Sequence, residues 1–468
     1  MRRLHHTSRD YDWGSPDDIP RFLGELADGR PVAEVWMGTH PLGASTIGTA
    51  DGEVSLTTLS GELPFMLKLL AASRPLSIQV HPNAQQAKAG FAREEDAGVP
   101  VDAPHRVYRD ANHKPEMVYA LTAFDTLVGF RPTAEILRIL AAIESPLATS
   151  LAERLDDRPG FDGIVRVVET LLDEKPDVSE IDRVVASCRD LAAQGIDVKR
   201  AYATAVEIAE HHPGDVGVVI SLLLKRLTLQ PGEAAFLGAG IIHAHLRGMC
   251  LEVMVSSDNV LRAGLTSKHL DPGGLVDCLD EGMSRLARVT PELFGFSTDI
   301  FSPPVDEFAL AVTQCSHAEP DGAVLPDASR RIVVCLGGEV ELVNERGERE
   351  TLRRGESVYA DSSDGALRGI GTGVLGLTSA TCQNVAGATF RATHFWDSSQ
   401  QDIGCPAAFP YAANSVSTET TSRHYTQTTG VVGPTGGVTQ VTIIDDNASG
   451  HPITYAPTAA CTTTNVDG

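Results

Sequence analysis

The stretch Gly232-Glu233-Ala234-Ala235-Phe236-Leu237-Gly238-Ala239-Gly240-Ile241-Ile242-His243 decides how this chain is read. Gly232 lies in a Gln230-Pro231-Gly232-Glu233 turn, and the apolar run Ala234–Leu237 behind it has the length of a short strand. Gly238 and Gly240 permit a second tight turn that re-aims the chain, so that His243 enters a barrel mouth from the next strand. Upstream, Gln79-Val80-His81-Pro82 carries two donor side chains two residues apart, and on a strand such residues share a face. The nearest plausible carboxylate is Glu116, in Asn112-His113-Lys114-Pro115-Glu116-Met117. Gln79, His81, Glu116 and His243 together offer an amide oxygen, two imidazoles and a carboxylate. That set suits one Zn²⁺ with positions left open for water or substrate. Singly, each histidine reads as an ordinary hydrogen-bonded residue and Glu116 as a solvated or paired carboxylate. Only their joint spacing points to a metal.

The spacing from Gly232 to His243 is similar to the second signature of cupin barrels, G-x5-P-x-G-x2-H, with Gly238 in place of the proline. The first cupin signature has His-x-His followed by Glu; here Gln79 takes the first place.

Working outward, the first 130 residues hold short apolar runs such as Leu67–Leu70 and Leu76–Val80 between glycines and prolines, the texture of short strands and tight turns. From Arg131 the period changes. Ile136, Ile139, Leu140 and Ile143 fall at helical spacing behind Pro132 and Thr133, and Ile164, Val167, Val168, Leu171 and Leu172 repeat the pattern. A third helix is predicted over Lys199–His211, closed by Pro213-Gly214. Strands are then predicted over Val218–Leu229 and Ala234–Leu237, and an all-β stretch over 301–396. The expected fold is mainly β with an α insertion: two cupin (jelly-roll) barrels plus an inserted helical domain. Residues 1–130 and 215–300 form the metal-bearing barrel in this reading, 131–214 the insertion, and 301–396 a second, degenerate barrel. In that second unit Gly355 parallels Gly232, but eleven residues on stands Ala366 where the first has His243. Residues 397–468, with fourteen Thr, no Lys and one Arg, read as a poorly ordered extension in which only Val438–Ile444 resembles a strand.

The chain has 468 residues and a formal charge of −24, with 42% apolar and 21% charged residues. That balance argues for a packed core and against a nucleic-acid or anionic-membrane surface, both of which call for clustered Lys and Arg. No run approaches the roughly 18 apolar residues of a membrane helix. The eight cysteines include no Cys-x-x-Cys pair and read as reduced thiols. A cytoplasmic monomer is expected. An anionic substrate would need a locally basic pocket set against the global field.

Longer motifs carry a closer likeness. Tyr11-Asp12-Trp13-Gly14, Ala33-Glu34-Val35-Trp36-Met37-Gly38-Thr39-His40-Pro41, Gln79–Pro82, Asn112–Met117, Gly238–Leu246 and Ser257–Leu265 resemble type I mannose-6-phosphate isomerases, in family order from about Tyr11 to Phe395. The resemblance implies a zinc-dependent bicupin aldose-ketose isomerase acting on mannose 6-phosphate and fructose 6-phosphate through a cis-enediol. It puts Gln79, His81, Glu116 and His243 on the family's zinc ligands and Arg262 on its catalytic arginine. A surface arginine paired with Asp258 is the plainer reading of Arg262. His113, Lys114 and Glu252 are the candidates for moving the proton. Lys68, Ser77 and Lys268 match the phosphate side, and Asp258 and His245 the rest of the substrate pocket. His245 departs from the family, which has a tyrosine there. Trp13, Trp36 and Met37 are assigned to packing. A metal cupin oxygenase or a non-catalytic sugar-phosphate-binding cupin are the competing readings; neither uses the cations and the ligands together.

Overall fold

The computed structural model describes residues 1–50, 52–281 and 288–379, together with the backbone of strands Thr389–Trp396, His424–Val432, Val438–Asp445 and Pro452–Tyr455. The fold is mainly β with inserted helices, and the chain divides into two units. Leu4–Val289 form one, and Thr290–Gly468 with Met1–Arg3 form the other.

The first unit is built on an eleven-stranded sheet whose organising element is the thirteen-residue strand His243–Val255. Its first part pairs with Phe124–Phe130 and with Ile78–Val80. Its second part, from Gly248, pairs with Phe65–Ala72 and Glu116–Ala120. The register shifts between His245 and Arg247, and Gly248 follows at φ +113°, where an added Cβ would meet Ala123 O at 2.4 Å. One strand therefore serves both halves of the sheet. The strands Phe65–Ala72 and Glu116–Ala120 are buried at every position, so both faces are covered and alternation is lost.

The helical insertion comprises Thr133–Ala142, Pro146–Asp157, Phe161–Glu174, Val178–Ala193 and Ala201–His211. All nine apolar residues read as periodic in the sequence are buried, in a core continuous with Ile78, Leu127 and Leu261 of the sheet. Each such burial contributes roughly 1.5–3 kcal/mol. Phe161–Glu174 stops at Lys175, in left-handed conformation before Pro176; Asp177 and Glu180 then close a capping box on the next helix.

The second unit holds a nine-stranded sheet in which Arg330–Asn344 lies between Ser357–Asp361 and Leu367–Ser379. Gly355 turns at φ +88°, close to the +93° of Gly232 in the first unit.

Three expectations are corrected. Val218–Ser221 is helical within Gly217–Ser221, and the strand begins only at Leu224; a run buried on all sides carries no periodicity to separate the two. Met1–Arg3 belong to the second unit because Arg2 and Arg3 pair with Tyr359 and Val358. Glu292–Phe294 and Thr298–Phe301 also join that unit's sheet, which moves its start from 301 to 290. In the tail, Val438–Asp445 is a strand, paired with His424–Val432 and Pro452–Tyr455; the rest of 397–468 lies outside the described residues. Among the described residues no helix is long and apolar enough to cross a membrane.

Candidate metal centre

Three strands deliver the ligand set. His81 follows Ile78–Val80, while Glu116 and His243 each open a strand of their own. Gln79 is the direct cross-strand partner of both His243 and Arg262. His81 Nδ1 lies 2.9 Å from Asn259 O, and His243 Nδ1 2.9 Å from Ile241 O. A carbonyl only accepts, so each imidazole carries a proton on Nδ1 and turns Nε2 inward. Those two Nε2 atoms stand 3.4 Å from Oε1 and Oε2 of Glu116 respectively.

Burial first, and Lys114 second, push the His81 imidazole down to about 4, so it is neutral near pH 7. Burial alone would raise the Glu116 carboxyl, but the ammonium of Lys114, 3.1 Å away, and the two imidazoles hold it well below the usual range. Two inward Nε2 atoms thus face a buried, ionised carboxylate, and His81 Nε2 has no hydrogen-bond partner. A divalent cation between them resolves the conflict, and the donor atoms lie within 4.8 Å of one another. Asn259 supports the site from behind: its carbonyl holds His81, its Oδ1 accepts from Arg109 N–H, and its amide donates to Asp110 O and Asn112 O.

Beside this centre lies a buried ionic row. Glu252, Lys68 and Trp36 are cross-strand neighbours in three adjacent strands. The Lys68 ammonium contacts Glu252 Oε2 and lies 3.1 Å from Glu34 Oε1. The Trp36 indole N–H donates to Glu34 Oε2 at 2.8 Å, and His245 Nε2 lies 3.2 Å from Glu252 Oε1. Burial works against the charge on Lys68, yet Glu252 and Glu34 hold it well above its ordinary pKa. For Glu252 burial raises the pKa, and Lys68 and His245 bring it below the usual value despite Glu116.

These groups line one cavity of about 1280 Å³. Arg109, Arg262 and Lys268 line it as well. Arg262 is depressed by burial and by Arg109, and Lys268 by burial, Arg262 and Arg109 against the opposing pull of Asp12. Three cations thus line one cavity on a chain whose net charge is −24. Such a cluster awaits an anion.

Residues 1–133 match the family described as "Phosphomannose isomerase type I, catalytic domain". The mannose-6-phosphate isomerase of Salmonella typhimurium is 35% identical over 395 residues, covering 80% of this chain and 98% of the relative. The chain belongs to the type I mannose-6-phosphate isomerase family. The human isomerase is 32% identical over 376 residues, covering 70% of this chain and 86% of its own length. A zinc-bound crystal structure of mannose 6-phosphate isomerase superposes with a TM-score of 0.72 at 34% identity, covering 81% of this chain and 99% of that one.

Within this family member the cavity brings together Gln79, Glu116 and His243 with Lys68, Ser77, Lys114, His245, Glu252, Asp258, Arg262 and Lys268. His81 and His113 do not line the cavity itself, whereas Lys114, next to His113, does. Lys68 reaches the cavity with its ammonium set between Glu34 and Glu252. Trp36 does more than pack, as it orients Glu34. Arg262 is not paired with Asp258; His40 Nε2 stands 3.5 Å from that carboxylate instead. Sequence reasoning missed Glu34, His40 and Arg109. The signal for Glu34 was present, as an acidic residue one strand step from Trp36 in an otherwise apolar run.

Proposed function

We propose that the chain interconverts mannose 6-phosphate and fructose 6-phosphate, with zinc held by Gln79, His81, Glu116 and His243. The observation that carries this reading is the pairing of two features: Nε2 of His81 and of His243 turned on Glu116, and a cavity beside them that Arg109, Arg262 and Lys268 line together. Bound there, zinc would supply a Lewis acid for the sugar oxygens.

The protein's own groups supply the remaining steps. Lys268 and Arg109 take the phosphate, which fixes the far end of the open sugar. Of His113, Lys114 and Glu252, the one that lines the cavity as a carboxylate is Glu252, held below its usual pKa by Lys68 and His245, while Lys114 contacts the ligand Glu116. Glu252 takes the proton from C2 and returns it to C1 while the hydroxyl proton passes from O2 to O1, so the reaction passes through a cis-enediol. Lys68 and His245 hold its two oxygens in place. Arg262, beside ligand Gln79, aims its planar fork at the oxygens on which negative charge develops.

A cupin oxygenase would need the ligand set but gives the three cations nothing to do. The test is a coupled assay for fructose 6-phosphate on protein whose zinc content is verified by elemental analysis. Zinc-loaded protein that binds mannose 6-phosphate without turning it over would replace the isomerase reading with a binding module.

A further inference from the structure

Lys268 and Ser77 both sit on loops outside the strands of the sheet, and both loops are fastened to the same short segment, the exit of the helical insertion. His212, just after Ala201–His211, donates Nε2–H to Pro75 O at 3.0 Å. Next to Pro75, Leu76 N–H donates to His245 O at 2.8 Å. Three residues after His212, Asp215 reaches the other loop. Its Oδ1 accepts from Gly217 N–H and from Leu265 N–H, both at 2.7 Å, and its Oδ2 accepts from Thr266 N–H at 3.3 Å.

The conformation so held is one the loop would not choose alone. Leu265 is a branched residue at φ +57°, a region L side chains avoid. Gly264, at φ +146°, lies against Gly217, where an added Cβ would meet Gly217 Cα at 2.7 Å and Asp215 Oδ1 at 2.8 Å. The reversal buries Leu265 in the insertion core and sends the following residues into the cavity. The turn continues through Thr266, whose Oγ1 accepts from Lys268 N–H at 3.1 Å. A carboxylate that takes three N–H groups across a strained turn holds it against relaxation.

We propose that Asp215 is a positioning residue for the anion subsite: through Leu265 and Thr266 it sets where Lys268 stands relative to Arg262 and Arg109. This gives the helical insertion a share in substrate binding, and it rests on the reading of those cations as a phosphate site. Asp215 touches neither the ligand set nor Glu252, so its influence falls on phosphate recognition and not on proton transfer.

The experiment uses the zinc-loaded full chain and two probes, inorganic phosphate titrated by calorimetry and mannose 6-phosphate in steady-state turnover. Asp215→Ala is expected to weaken phosphate binding about tenfold and raise KM by a similar factor, with kcat within about twofold of wild type. Asp215→Asn, which keeps an oxygen for Gly217 and Leu265, should recover most of the loss. Thr266→Ala leaves Asp215 untouched and should weaken phosphate in the same direction, which keeps the test open if Asp215→Ala does not fold. Unchanged phosphate affinity in Asp215→Ala and Thr266→Ala, or a fall in kcat with KM constant, would overturn the proposal. Wild-type protein that binds phosphate but never yields fructose 6-phosphate would refute the isomerase reading while leaving the Asp215 comparison decisive.

Discussion

Lys68 and Glu252 are direct cross-strand partners, and their opposite charges meet in a buried ion pair that Glu34 and His245 extend on either side. Removing the cation leaves two carboxylates without compensation in a dry interior. Lys68→Met should therefore lower stability by about 3–5 kcal/mol in chemical denaturation. Adding Glu252→Gln should return part of that loss, because the second change removes one of the stranded charges. Strictly additive losses would contradict the pairing.

Chelation should abolish turnover, and Zn²⁺ should restore it. His243→Ala should behave like chelated wild type, with zinc no longer retained after dialysis, since two of the inward donors cannot replace three. Full activity in protein shown by elemental analysis to be free of metal would disprove the assignment.

Acid should unfold the metal-free protein through His81. Its folded pKa, about 4, lies below the ordinary 6.5, because burial and Lys114 disfavour the charged form. A depressed folded pKa means that the contribution is complete above 6.5 and is lost as pH falls from there toward 4. Midpoints of urea unfolding measured from pH 7 to pH 4 should decline over that window, and His81→Gln should flatten the decline. A slope unchanged in the variant would point to other groups.

Arg262 and Lys268 should separate in kinetics although both lie in one cation cluster. Arg262→Ala should cut kcat by about 10²–10³ with a smaller change in KM, as expected for a donor serving the transition state. Lys268→Ala should chiefly raise KM, because phosphate keeps its charge throughout the reaction. If Arg262→Ala raised KM and spared kcat, the arginine would be another phosphate ligand.

The grouping of His81, Glu116 and His243 was legible because they sit at fixed steps from glycine turns and strand starts, where spacing translates directly into geometry. The helices around Ile136 and Ile164 were legible for a related reason: one face is buried and the other wet. Val218–Ser221 defeated the same logic, since every side chain there is buried. The ion pairs of Lys68 could not be read, because charge type says nothing of which neighbours meet the charge. Arg109 was hidden by distance in sequence. It joins Arg262 only after Asn259 has tied its backbone to the strand-end loop.

The continuous strand from His243 to Val255 has a consequence for how this protein can vary. It bears the candidate ligand His243, His245 and the proposed base Glu252 on one strand, with a register shift between His245 and Arg247. A residue gained or lost between His243 and Glu252 would turn one end over relative to the other and separate metal from base in a single step. Natural or laboratory variants should therefore accept length changes among the insertion helices far more readily than in these few positions. The span acts as an internal gauge, and its length is heritable only unchanged.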